Sequence, residues 1–114
     1  MIETDASLAE RKAALRTEAL ARRARMAHAD RPEAALRATG HFLAAIPITP
    51  DTTIACYWPI RDEIDCKPLL TRLMDGGHRV CLPVVMGEDR PLEMRLWEPG
   101  AALYPSGFGT LAPS

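Results

Sequence analysis

From Leu8 onward the chain sets apolar residues at helical intervals. At about 100° per residue, Leu8, Leu15, Ala19 and Met26 fall on one stripe. Lys12, Arg16 and Arg23 form a row beside that stripe, Leu20 lies on the row's other side, and Arg25 points away. Ser7-Leu8-Ala9-Glu10 reads as a capping box, and no Gly or Pro interrupts the stretch, so a helix is predicted from there to about Met26. Asp30-Arg31-Pro32-Glu33 is a second start, with Asp as cap and Pro in the first turn. This helix should end near Ile46, before Pro47 and Pro50, and bury Phe42, Leu43 and Ile46. Gly40 inside it suggests close packing.

The pattern then changes. Thr52 to Trp58 is β-branched and aromatic without polar alternation, which suits a strand covered on both faces. Asp65 can cap a short helix with Pro68 in its first turn, Leu69, Leu70, Leu73 and Met74 on its buried side, and Gly76-Gly77 at its end. Arg79 to Val85 is a second strand, so strand, helix and strand predict a βαβ unit with parallel strands. Past a polar turn, Leu92, Met94 and Leu96 alternate with Glu93, Arg95 and Trp97, as in an edge strand with one exposed face. Trp97, on the polar side, either packs on a neighbour or lines a ligand groove. Pro99 to Ser114 carries no charge but holds Leu103, Tyr104, Phe108 and Leu111, a composition that calls for a packing surface.

Composition narrows the class without naming a partner. The 114 residues allow at most one domain, and 47% hydrophobic with 25% charged at net charge −1 is ordinary globular composition. No apolar run approaches the ~20 residues of a membrane span, and the opening Met-Ile-Glu-Thr-Asp is too acidic for a signal peptide. A cytoplasmic address is the resulting expectation. Cys56, Cys66 and Cys81 lack any Cys-x-x-Cys pair and read as small buried hydrophobes. His28, His41 and His78 are scattered and read as surface or packing residues.

Candidate chemistry gathers in Ile54 to Asp65, Ile-Ala-Cys-Tyr-Trp-Pro-Ile-Arg-Asp-Glu-Ile-Asp. In an open α/β sheet, ligands bind where loops leave the carboxyl ends of strands. Glu63 is accordingly a candidate ligand contact, although a solvated carboxylate fits it too, and Trp58 is either a wall of that site or core. From Arg11 to Met26 there are six basic residues and one acid, Glu18. That helix can present a solvated face, or Lys12 and Arg16, one turn apart, can grip one polyphosphate. No aromatic residue accompanies them to stack on bases, which makes a nucleic-acid surface the weaker reading.

Tyr57-Trp58-Pro59-Ile60-Arg61-Asp62-Glu63-Ile64-Asp65 resembles a segment of the 5-formyltetrahydrofolate cyclo-ligases. Three companions occur in the right order: the basic helix with Lys12 and Arg16, Leu82-Pro83-Val84-Val85 followed by Pro91 to Trp97, and Gly107-Phe108-Gly109-Thr110. The resemblance implies an α/β fold in which N-terminal helices precede a βαβ unit and a further strand. These would form part of a mostly parallel three-layer sandwich of the NagB/RpiA-like cyclo-ligase type, truncated at the C-terminus. It further implies ATP-dependent closure of 5-formyltetrahydrofolate to the 5,10-methenyl form with Mg²⁺. Lys12 and Arg16 would meet ATP phosphates, Trp58 would form a flat wall and Glu63 would accept from pterin N–H groups. No residue of this portion corresponds to the family's metal ligands or Gly-rich phosphate loop. Where the family commonly has Gly-Ile-Pro-Glu-Pro this chain has Gly109-Thr110-Leu111-Ala112-Pro113, so Ala112 stands where a carboxylate is usual. The alternatives are a non-catalytic module that binds nucleotide or folate or docks on a partner, and a basic-helix nucleic-acid binder.

Overall fold

The computed structural model describes residues 4–114; Met1, Ile2 and Glu3 of the acidic opening lie outside it. The chain forms two compact units, one running to Asp30 and the other Arg31–Ser114.

The first unit is α1, Asp5–Ala24, followed by a short helical turn at His28–Asp30. The cap is Thr4, not Ser7: its hydroxyl oxygen accepts from the Ser7 N–H at 3.1 Å, so the helix begins three residues before the expected box. The first-turn acid Asp5 and last-turn Arg22 and Arg23 complement the helix dipole. The apolar stripe exists but buries nothing, and Leu15 is 61% exposed.

The second unit opens with α2, Arg31–Ala45, which stops where Pro47 and Pro50 require. Its buried residues are Ala35 and Thr39, four apart on one face, with Leu43 packed against the core one turn further. The expected face of Phe42, Leu43 and Ile46 is therefore rotated, and Ile46 is exposed. Small residues let the helix approach closely, and Thr39 satisfies its buried hydroxyl on the Ala35 carbonyl at 2.9 Å. Gly40 has open space around it, so close packing is not its reason.

Next come β1 (Thr53–Ala55), α3 (Lys67–Asp75) and β2 (Arg79–Val84), with β1 and β2 parallel in the register Ile54↔Val80: the βαβ unit is present. α3 ends in a Schellman motif, in which the His78 N–H reaches the Leu73 carbonyl and the Gly77 N–H that of Met74, with Gly77 at φ 82°. Its start is less direct. Cys66 occupies the cap position, while Asp65 accepts from the Lys67 N–H at 3.0 Å.

β1 is shorter than expected. Cys81 bonds to the β1 side, accepting from the Cys56 N–H at 3.0 Å. Two residues on, Pro83 faces the same side and has no N–H to offer, so pairing with β1 stops. Nor is β1 covered on both faces, since Thr53 and Ala55 are exposed.

β3, Glu93–Leu96, pairs antiparallel with β2 and completes a sheet of order β1-β2-β3. Its alternation is inverted from the aliphatic pattern: Met94 and Leu96 are exposed, whereas Arg95 and Trp97 are half-buried. Trp97 is the reason, because it packs on the core and its indole N–H donates to the Ala101 carbonyl at 3.0 Å. Leu70, Leu73, Val80 and Leu82 form the fully buried centre, with Leu69, Met74 and Leu103 against it. The uncharged tail folds into a small hairpin, β4 (Tyr104–Pro105) with β5 (Leu111–Ala112).

Candidate functional site

The second unit draws its candidate site together beyond the carboxyl end of β1. Pro59 has no N–H with which to continue a ladder, and at Ile60–Glu63 the chain makes a tight turn, with Arg61 in the left-handed region at φ 54°. The turn is closed from both directions. The Glu63 N–H donates to the Ile60 carbonyl at 3.1 Å, and the Glu63 carboxylate accepts from the Ile60 N–H at 2.9 Å. Glu63 is thereby held half-buried and not free in solvent.

More distant residues brace the same loop. Arg31, at the start of α2, donates to the Asp62 carbonyl at 3.1 Å. The Tyr57 hydroxyl spans the loop to the Ile64 carbonyl at 3.0 Å, and the Cys66 thiol donates to the Tyr57 carbonyl at 3.0 Å. Burial pushes the thiols of Cys56 and Cys66 up, Cys56 to about 11. Both are poor nucleophiles at neutral pH, in keeping with packing roles.

Trp58 stands edge-on to Trp97, with ring centroids 5.7 Å apart and planes at 88°. This geometry is favourable for two aromatic rings. It gives Trp97 a packing role and places Trp58 partly in the core. The Lys67 ammonium lies 5.5 Å from the centroid of the Trp58 ring and pairs with Asp65 at 3.2 Å. Lys67 escaped the sequence reading because nothing local marks a helix-start lysine as lying over an indole. The Thr110 hydroxyl donates to the Trp58 carbonyl at 3.2 Å, which ties the tail hairpin to this loop.

Trp58 and Glu63 are thus carried by one braced loop. Lys12 and Arg16 lie one turn apart on α1 in the other unit, both exposed. A hollow of about 200 Å³ lined by Met74, His78, Val80, Leu96, Trp97 and Pro99 lies at the amino end of β2. It includes neither Trp58 nor Glu63 and is smaller than the ~300–1,000 Å³ usual for small-molecule sites. Among the described residues, no group of His, Cys, Asp or Glu is arranged to hold a metal ion. These described residues do not fit a Mg²⁺ site.

The family model described as 5-formyltetrahydrofolate cyclo-ligase matches residues 8–113. The chain belongs to this family. No curated protein matches it. The fold is similar to the NMR structure of Aquifex aeolicus 5,10-methenyltetrahydrofolate synthetase, with a TM-score of 0.73 and 23% identity, over 90% of this chain and 51% of that one. The chain therefore spans about half the length of the solved structure it matches, and over that span it has the α/β architecture of a cyclo-ligase. Ala112, in strand β5 of the hairpin, is buried at 3% exposure. A charged residue there would have to be desolvated or paired.

Proposed function

We propose that this chain supplies the folate-binding portion of an ATP-dependent 5-formyltetrahydrofolate cyclo-ligase, acting as a single incomplete domain in the cytoplasm. The observation that carries this reading is the double latch at Ile60–Glu63, which fixes a half-buried carboxylate on the loop that also carries Trp58. A carboxylate has about four lone-pair positions. One is used on the Ile60 N–H, and the others suit the N–H donors of a pterin, with Trp58 as the adjoining flat wall. Lys12 and Arg16 would neutralise ATP phosphates, which phosphoryl transfer to the formyl oxygen requires. Since the chain spans half of its structural relative, turnover by the isolated chain is not expected.

Calorimetric titration of the 114-residue chain with 5-formyltetrahydrofolate tests the reading. Glu63→Gln is the informative variant, because the amide oxygen can keep the Ile60 latch while its NH₂ faces the pterin donors. The expected result is binding by the wild type and at least about tenfold weaker binding by Glu63→Gln, the scale of a charge-assisted hydrogen bond. Equal affinities, or no binding by the wild type, would overturn it. In a full-length relative carrying this helix, Arg16→Ala should weaken ATP binding while Arg25→Ala does little.

One observation favours a second reading, in which the chain docks on a complementary half or another copy. Leu92, Met94 and Leu96 form an exposed aliphatic row on β3 and the residue before it. Light scattering across a concentration series, with the chain alone and mixed with the C-terminal half of a full-length relative, would detect such association, and a monodisperse monomer in both would exclude it.

A further inference from the structure

The hairpin turn at Gly107–Gly109 presents Phe108 in a way that packing does not explain. Phe108 has φ 61° and ψ 19°, and Gly109 follows at φ 79°. Two successive positive φ values, closed by the Thr110 N–H on the Gly107 carbonyl at 3.3 Å, are the signature of a type I′ turn. Its first central position favours Asn, Asp or Gly, and a bulky residue with positive φ is strained there. The ring recovers nothing by burial, because Phe108 is 79% exposed.

The turn beneath the ring is firmly seated. The Ser106 hydroxyl oxygen accepts from the Val85 N–H at 3.1 Å, just past β2, and the Ser106 N–H donates to the Thr110 carbonyl at 2.9 Å. Gly107 lies so close to Val85 that an added Cβ would meet Val85 Cγ1 at 2.6 Å. Thr110 reaches the Trp58 carbonyl. A strained, exposed aromatic residue on a turn anchored to both β2 and the Trp58 loop is the arrangement expected of a ligand platform, since strain persists where the surroundings over-determine it and function uses it.

We propose that Phe108 is a binding residue that stacks on the flat ring system of the folate substrate, beside the Trp58–Glu63 loop. This rests on the folate reading above. The position separates binding from folding. Phe108→Asn suits the left-handed backbone better than Phe does, so removing the ring should leave the melting temperature equal or higher. Calorimetric titration of the 114-residue chain with 5-formyltetrahydrofolate should then give affinity about tenfold or more weaker for Phe108→Asn, the scale of base–aromatic stacking, with Phe108→Tyr within about twofold of wild type. Wild-type binding that Phe108→Asn leaves unchanged would overturn this inference alone and spare the folate reading. A clear fall in the Phe108→Asn melting temperature would make the ring structural and overturn it as well. So would a self-association lost in Phe108→Asn with folate affinity intact. No binding by the wild type would overturn both readings together.

Discussion

Helix α1 and the loop from Trp58 to Asp65 both carry candidate substrate contacts, yet they are held by different physics. α1 is regular, capped at Thr4, and stabilised within itself, down to the Glu18–Arg22 ion pair at 3.4 Å, but none of its residues is buried. The loop has no regular structure. It is nevertheless fixed by Arg31, Tyr57, Glu63, Cys66 and Thr110, whose bonds join it to α2 and the tail hairpin as well as to itself. Regularity and fixation are separate properties: a helix satisfies its backbone locally, whereas an irregular segment needs partners from elsewhere in the chain.

The contrast predicts unequal responses to the same leucine truncation. Leu82→Ala, at a fully buried position within the loop-bearing unit, should destabilise by about 2–5 kcal/mol. Leu15→Ala on α1 should change stability by no more than about 0.5 kcal/mol. Denaturant unfolding of both variants measures this, and equal losses would mean that the α1 stripe is buried in solution.

Adding one methyl group should discriminate next. Gly107→Ala forces a Cβ to within 2.9 Å of Val85 Cβ, part of a branched side chain with little freedom to move. It should destabilise by about 1–3 kcal/mol. Gly40→Ala, in open space within a helix, should instead stabilise by about 0.5–1 kcal/mol. Opposite signs in thermal melts are the expected outcome, and a harmless Gly107→Ala would show that the hairpin is loosely seated.

The smallest expected effect is a pH dependence at the base of the loop. Cys56 is raised from an ordinary value near 9 to about 11 by burial first, then by its neighbours Cys66 and Cys81. A thiol whose folded value lies above its unfolded one contributes stability fully below pH 9. That contribution is lost as pH rises through about 11, because the unfolded chain ionises first. Stability should fall over that window, and Cys56→Ser should remove part of the slope. An unchanged slope would place the thiol in contact with water.

Much of the helical architecture was legible because its signals are local. Pro32 and Pro68 mark helix starts, Gly76-Gly77 a stop, and both are consequences of backbone geometry that neighbours do not alter. Cap positions shifted by a few residues, since Thr4, Ser7 and Asp5 are all competent caps and only the realised hydrogen bond separates them. The placing of Trp58 and Glu63 on one loop was readable from the strand-to-loop transition, whereas their contact with a ligand is a proposal. The placing of Lys67 was not readable, because its relation to the Trp58 ring depends on the path of α3.

By itself the sequence determined the order of helices and strands as far as β3, the parallel βαβ unit and the family, all of which rest on short-range patterns or on residue identities in order, but not the hairpin of β4 and β5. Only the tertiary structure decided that β1 ends where Pro83 withdraws its donor, that Trp97 and not the aliphatic row faces inward on β3, and that Phe108 stands strained in the open. Each of these depends on a partner distant along the chain. Alternation reveals that a strand has two faces without saying which one meets the core, and here the meeting of Trp97 with Trp58 sets the choice.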